Sequence, residues 1–200
     1  MVINIYQLKV TLRDVKPAIW RRLLVPGNLN LQRLHLVIQD AMGWENCHMH
    51  SFEVGGDEYG APDRDAWGPE IRNEKQFTIE RLATVKDRFR YTYDFGDSWE
   101  HEIVVEKVTT GESIAPRCID GARACPPEDC GGAWGYMELV HAVANPKHAR
   151  HDELTEWVPP GWAADRFDAS LADRAVAQHR PESGRPRPRT SRSKRPRARI

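Results

Sequence analysis

Aromatic residues fall on every second position from Phe89 to Phe95, which is the pattern of a β-strand with one buried face. An apolar run at residues 103–105 predicts a second strand. Residues 94–98 between the two runs are rich in Asp, Gly and Ser. These types favour a tight turn, because glycine tolerates a positive φ and Asp and Ser bond to their own backbone. The pattern therefore predicts the central hairpin of an antiparallel sheet.

Upstream of this hairpin, the chain predicts two more strands and a helix. Apolar and polar residues alternate over residues 6–12, as in a half-buried strand, and residues 19–25 have the composition of its antiparallel return strand. An apolar stripe over residues 31–42 then predicts a helix. Asn30 is placed to cap the start of this helix, and Gly43 is a natural stop at its end.

Weaker patterns assign the rest of the chain. A strand at residues 48–54 would place His48 and His50 on one face, since side chains alternate along a strand. Prolines and paired glycines give the cysteine-containing loop at residues 118–132 a specified shape. The other predictions, in chain order, are a turn at 55–60, an irregular loop at 61–76, a short strand and helical turn at 77–82, a helix at 135–144, a short amphipathic segment at 152–158, and a last helix capped by Asp168.

These elements predict an α+β fold, with a mainly antiparallel sheet packed by a few helices in a single domain over residues 1–179. The chain has no apolar run of about 18 residues and opens without a basic, then apolar, leader segment. Its four cysteines are too sparse for a disulfide framework. We therefore expect a cytoplasmic protein with reduced thiols and no membrane partner.

The charge of the chain is divided between its two parts. Residues 180–200 hold eight Arg and one Lys against the single acid Glu182, a net charge of +8, so residues 1–179 carry −8 because the whole chain is neutral. Pro, Ser and Arg dominate this basic tail, and the composition predicts disorder. Such a tail would attach to nucleic acid through phosphates, without sequence specificity. A solubilising tail, or one folded back on the acidic domain, is an equal alternative.

Histidines and cysteines suggest a metal site. Two imidazoles two residues apart on a strand, at His48 and His50, can reach a common ion. Thiolates from Cys118, Cys125 and Cys130 could complete a zinc site. Paired C-x-x-C spacing is absent, so buried reduced thiols are the alternative.

Other polar and aromatic residues are candidates for binding. Trp20 and Arg22 share a strand face, where the arginine could grip a phosphate or simply cover the ring. Acids of the hairpin and of the proline-rich loop could serve chemistry, or be ordinary turn and capping residues. The full set of binding candidates is Trp20, Arg22, Asp94, Asp97, Trp99, His101, Glu128 and Asp129.

An ordered series of motifs occupies residues 6–10, 17–22, 34–35, 42–44, 48–52, 91–101 and 125–132. Through this series the chain closely resembles the plasmid pRiA4b ORF-3-like family, over roughly residues 5–177. The resemblance implies a single α+β domain with a mainly antiparallel sheet, and no assigned biochemistry. Family members are often labelled transposon passenger or TnpR-like proteins, which is an association with mobile elements. A serine recombinase needs a nucleophilic serine near its first strand, and residues 1–50 contain no serine.

Two functions follow as hypotheses. The first, which we favour from the sequence, is a non-catalytic module of a plasmid or transposon locus that binds a protein partner or, through its tail, nucleic acid. The second is a metal-dependent, hydrolase-like enzyme built on His48, His50 and the cysteine loop, with Glu128 as general base.

Overall fold

The structure, a computed structural model, describes residues 2–62 and 71–180. Its centre is one sheet of eight strands in the order β5-β4-β3-β6-β7-β1-β2-β8, antiparallel except for the pair β4 and β5. The strands are β1 (Val2–Leu12), β2 (Trp20–Pro26), β3 (His50–Val54), β4 (Asp57–Gly60), β5 (Arg72–Asn73), β6 (Arg88–Tyr93), β7 (Trp99–Glu112) and β8 (Arg117–Ala122).

Five α-helices accompany the sheet in the described residues: α1 (Leu31–Met42), α2 (Ile79–Leu82), α3 (Gly132–Ala144), α4 (His151–Trp157) and α5 (Ala169–Val176). A 3₁₀ turn lies at Glu74–Gln76. The single α+β domain predicted from the sequence is confirmed. Over residues 2–62 and 71–180, no helix is both long and apolar enough to cross a membrane.

The predicted central hairpin is formed by β6 and β7, which pair from Arg88 opposite Val104 to Tyr93 opposite Trp99. The turn closes through a hydrogen bond from the Ser98 amide to the Asp94 carbonyl at 2.6 Å. Asp94 and Ser98 both have a φ of 54°, a left-handed conformation that Asp adopts more readily than most residues. Strand β7 begins at Trp99 and is therefore longer than the sequence predicted.

The two faces of the sheet differ in character, as β7 shows. Its side chains at Trp99, His101 and Ile103 are buried toward the helices. Glutamates of the same strand point to the opposite, outer face, where each meets an arginine from β6, from β2 or from the residue after β1. The closest pairs are Arg13–Glu100 at 2.8 Å, Arg88–Glu102 at 2.9 Å and Arg22–Glu106 at 2.8 Å. The outer face is therefore polar and internally neutralised.

Helix α1 has the predicted bounds and caps. The Asn30 side chain accepts a hydrogen bond from the Arg33 amide at 2.9 Å, and Gly43 ends the helix with a φ of 101°. The carbonyls at the C-terminal end of this helix accept hydrogen bonds from Arg21, a residue to which the sequence analysis assigned no role. The buried Arg21 donates from Nε to the Ala41 carbonyl at 2.7 Å, which suits a cation at the negative end of a helix dipole.

Several predicted boundaries were wrong. Residues 57–60, predicted as turn, form β4, because Gly55 and Gly56 alone make the turn at φ of 62° and 89°. Residues 117–122 form the edge strand β8, whereas the sequence suggested a loop from residue 118 onward. Part of the predicted loop, residues 63–70, and the predicted tail beyond residue 180 lie outside the described residues.

Candidate metal site

Three connections of the fold meet beside the ends of β3 and β6. They are the segment after α1, the hairpin turn and the loop before α3. Together they bring four side chains into what we call the His48 cluster, namely His48, Asp94, Glu128 and Asp129. The Nε2 atom of His48 lies 3.1 Å from an Asp129 oxygen and 3.8 Å from oxygens of Asp94 and Glu128. A single imidazole is thus surrounded by three carboxylates.

The backbone of the cluster is held in unusual conformations. Asn46, Asp94 and Asp129 have φ values of 55°, 54° and 54°, in the left-handed region. Asn and Asp tolerate this region better than other residues that carry a side chain. Two hydrogen bonds fix Asp94, one from its amide to the Met49 carbonyl and one from the Gly96 amide to its Oδ1, both at 2.9 Å. These conformations turn each connection toward the shared centre.

Glu128 is anchored through one oxygen only. Its Oε1 accepts hydrogen bonds from the Glu45 amide at 2.7 Å and the Tyr93 hydroxyl at 3.0 Å. The same hydroxyl accepts a hydrogen bond from the Cys47 amide at 3.1 Å. Burial raises the pKa of Tyr93 well above its usual value, so the phenol stays protonated and donates. The second carboxylate oxygen of Glu128 is left to face His48.

Two atoms of the cluster lack hydrogen-bond partners. Both His48 Nε2 and Glu128 Oε2 are buried, and neither makes a hydrogen bond within the part of the chain that the structure describes. The 3.1 Å contact of Nε2 with Asp129 has the distance of an ion pair without the alignment of a hydrogen bond. Buried polar atoms are normally satisfied, so these two call for a specific partner.

Among residues 2–62 and 71–180, two sets of donor atoms can each surround one ion, and His48 belongs to both. One set is His48, Asp94 and Asp129, and the other is Cys47, His48 and Glu128, with all donors of a set within 4.8 Å of one another. Imidazole, thiolate and carboxylate are the usual ligands of first-row divalent metals in proteins.

A closed ring of hydrogen bonds supports the segment that carries Cys47 and His48. The backbone amide of Asn46 donates to the side-chain oxygen of Gln39 at 2.9 Å. The side-chain nitrogen of Gln39 in turn donates to the Tyr91 hydroxyl at 2.8 Å. His35 links that hydroxyl to the Asn46 side chain, at 2.7 Å on each of its nitrogens. Burial lowers the pKa of His35 to about 3, so its imidazole stays neutral. Neutral His35 can then accept from Tyr91 and donate to Asn46, which satisfies every member of the ring.

Comparison with known proteins places this site in a family. The family model described as plasmid pRiA4b ORF-3-like protein matches residues 4–171, which include the whole His48 cluster. The chain belongs to the plasmid pRiA4b ORF-3-like family.

Two similar proteins extend this assignment. The chain is 41% identical over 162 residues to the uncharacterized protein y4hQ of Sinorhizobium fredii (strain NBRC 101917 / NGR234), a match that covers 78% of this chain and 82% of y4hQ. It is also similar to MM3350 of Methanosarcina mazei Go1, a protein of unknown function with a crystal structure. That similarity has a TM-score of 0.75 and 33% identity over 84% of this chain and 96% of MM3350. The chain thus shares its fold with MM3350.

In this pRiA4b ORF-3-like chain, the metal ligands predicted from the sequence do not come together as a set. Strand β3 begins at His50, so His48 lies in the preceding connection and the two imidazoles diverge. His50 bonds to the buried Glu74 at 2.8 Å and stacks on His35 with 3.4 Å between ring centroids. Neither donor set contains His50 or any of the predicted cysteines, Cys118, Cys125 and Cys130.

Those three cysteines are free and largely buried. Burial raises the pKa of Cys118 to about 11 and that of Cys130 to about 12, and it also raises the pKa of Cys125. Burial thus keeps these three thiols protonated near neutral pH. The one exposed cysteine, Cys47, is the one that faces the cluster, and sequence reasoning overlooked it. Its signal was its position directly before His48.

The other binding candidates divide into two groups. Asp94, Glu128 and Asp129 lie in the cluster, and Asp97 supports it by accepting a hydrogen bond from the Gly131 amide at 3.0 Å. The remaining candidates lie apart from it, namely Trp20, Arg22, Trp99 and His101.

Each of these four residues is buried in the protein or paired with other side chains of the chain. Trp99 and His101 are buried, and burial lowers the pKa of His101 to about 4. Arg22 shares the outer face with Trp20, as predicted, and lies 5.0 Å from the centroid of its ring. Its guanidinium is already paired with Glu106 and Asp120, each at 2.8 Å, which leaves it poorly suited to grip a phosphate.

Proposed function

We propose that the protein binds a divalent metal ion at the His48 cluster and uses the ion in a metal-dependent, hydrolase-like reaction. The convergence of His48 with three carboxylates carries this proposal, because two of the converging atoms, His48 Nε2 and Glu128 Oε2, are buried without partners. A cation between them would satisfy both atoms and offset the repulsion among the acids.

The surroundings of the cluster suit hydrolysis. The Asp129 side chain is 63% exposed, so the cluster opens to solvent and leaves room for a water or a substrate on a bound ion. A divalent ion lowers the pKa of its bound water toward neutrality and polarises a substrate carbonyl or phosphoryl group. Each donor set also leaves at least one carboxylate of the cluster off the ion. A free carboxylate at this distance is placed to act as general base.

Titration of metal-free protein with Zn²⁺ or Co²⁺, followed by assay on activated carboxylic and phosphoric esters, tests this function. We expect saturable binding and ion-dependent turnover. His48→Ala should abolish both, whereas His141→Ala, a change at an exposed histidine of α3, should alter neither. Turnover that persists after chelation would contradict the enzymatic part, and binding that is equal in the two variants would contradict the site.

The sequence favours a second activity for the tail. On the outer sheet face, Arg13, Arg22 and Arg88 are each paired with a glutamate, whereas residues 180–200 carry nine cations and one acid. We propose that this segment gives the protein a nonspecific affinity for nucleic acid or for an acidic protein partner, as an accessory factor of a plasmid or transposon would need. Retention on DNA and RNA across a salt series should weaken on deletion of residues 180–200. Unchanged retention would exclude this role.

A further inference from the structure

We propose that Cys47, His48 and Glu128 hold the ion, so that the site is a mixed sulfur, nitrogen and oxygen centre that selects a thiophilic first-row metal such as zinc over Mg²⁺ and Ca²⁺. This inference rests on the proposed function, because it specifies which side of His48 the ion occupies. It gives Cys47 the role of a metal ligand.

The first argument comes from the atoms without partners. His48 Nε2 and Glu128 Oε2 are both buried, lie 3.8 Å apart and belong to residues of this donor set. The competing set has less need of an ion. There neither Asp94 nor Asp129 contributes a buried atom without a hydrogen-bond partner, and the Asp129 side chain is 63% exposed to water. An ion on the Cys47 side therefore satisfies two buried groups, whereas one on the other side would leave Glu128 Oε2 unsatisfied.

The second argument is the way in which the chain presents the thiol. The left-handed Asn46, at a φ of 55°, turns the backbone so that the consecutive residues Cys47 and His48 both reach the cluster. The Tyr93 hydroxyl accepts a hydrogen bond from the Cys47 amide at 3.1 Å and lies 3.7 Å from the Cys47 sulfur. Because Tyr93 also donates to Glu128, one phenol orients both the thiol and the carboxylate of the set.

The chemistry of this set decides the class of metal. Binding a divalent ion displaces the thiol proton to solvent, and the resulting thiolate joins a neutral imidazole and a carboxylate. Sulfur and imidazole ligands suit zinc and cobalt, whereas Mg²⁺ and Ca²⁺ take oxygen ligands. Three protein ligands with an open fourth position are also the usual arrangement of a catalytic zinc site.

Titration of the metal-free full-length protein with Co²⁺ tests the inference, because a cobalt–thiolate bond gives an intense near-ultraviolet charge-transfer absorption. We expect this absorption in the wild-type protein and its loss in Cys47→Ser, with Co²⁺ affinity reduced about tenfold or more. Cys130→Ser is the matched control and should keep both absorption and affinity. A large excess of Mg²⁺ or Ca²⁺ should not displace the bound Co²⁺.

Each other outcome has a defined meaning. Wild-type protein that binds Co²⁺ without the charge-transfer absorption overturns the assignment of Cys47 while the proposed function stands. Absorption that survives in Cys47→Ser overturns it as well, as does displacement of Co²⁺ by Mg²⁺ at similar concentrations. Failure of the folded wild-type protein to bind any ion overturns the proposed function itself. Circular dichroism of each variant confirms that loss of absorption is not loss of fold.

Discussion

The outer face of the sheet and the His48 cluster are both rich in acidic side chains, but they differ in whether those acids are paired with arginines. On the outer face, each of Glu100, Glu102 and Glu106 has an arginine within about 3 Å, and water screens the pairs. In the cluster, three carboxylates surround one imidazole, with buried atoms unpaired. Acids that only keep a surface soluble come with their own cations. Acids gathered without such partners are the groups that the proposed ion would neutralise.

The interior differs from both regions, because burial there disfavours the charged form of its histidines, and this gives the largest expected effect. Burial lowers the pKa of His101 to about 4 and that of His35 to about 3, from 6.5 in the unfolded chain. Below about pH 6.5 these two histidines therefore bind protons in the unfolded state but not in the folded state. The free energy of unfolding should be flat above this pH and fall by about 3 kcal/mol per histidine as the pH drops toward 4.

Denaturant unfolding at a series of pH values measures this loss. Replacing His101 with Gln should remove one proton from the linkage, a slope of about 1.4 kcal/mol per pH unit between pH 4 and 6.5. The exposed His141→Gln is the control and should leave the slope unchanged. An unchanged slope in His101→Gln would show that this histidine titrates normally in the fold.

The next effect contrasts the cluster with the outer face directly. An ion that binds only the folded state stabilises it by about 2.7 kcal/mol at a free concentration 100 times its dissociation constant. Zn²⁺ should therefore raise the thermal midpoint of the wild-type protein and leave that of His48→Ala unchanged. The same addition should still stabilise Arg88→Ala, a change confined to the outer face. Equal stabilisation of all three proteins would place the ion elsewhere.

A smaller effect concerns the hydrogen-bond ring behind the cluster. Replacing Tyr91 with Phe leaves Gln39 Nε2 and His35 Nδ1 each without a partner, at a cost of about 1–3 kcal/mol in the free energy of unfolding. Tyr136→Phe is a matched control, because that buried hydroxyl makes no hydrogen bond within the described residues. Alkylation of the exposed Cys47 should also become faster in Tyr91→Phe alone. Equal rates in both variants would show that the ring does not hold this segment.

The smallest effect belongs to the outer face. A double-mutant cycle on Arg88 and Glu102, which are both well exposed, should give a coupling of about 0.5 kcal/mol or less, decreasing with added salt. A coupling of several kcal/mol would mean that these pairs are structural, and the contrast with the cluster would weaken.

The sequence predicts best those parts of the fold that local chemistry controls. Helix α1 has its predicted bounds because Asn30 and Gly43 mark its ends, and the central hairpin follows from alternation around a turn of Asp, Gly and Ser. The edge strand β8 was missed because a polar edge carries little alternation, and its identity depends on pairing with the distant β2.

The candidate site shows the same limit. The residue types and three of the four cluster members were named from the sequence as candidates for binding, and His48 as a candidate ligand. Their grouping was not predictable, because His48, Asp94 and Glu128 are brought together by the sheet from widely separated parts of the chain. The same limit applies to the cysteines considered as ligands. Spacing along the chain suggested Cys118, Cys125 and Cys130, whereas folding presents Cys47.

Elemental analysis of purified protein, loaded with zinc and then dialysed exhaustively, tests the central claim most directly. The His48 cluster predicts a single zinc ion retained per chain in the wild-type protein and none in His48→Ala, with both proteins folded. Zinc absent from the wild-type protein, or retained equally by His48→Ala, would contradict it.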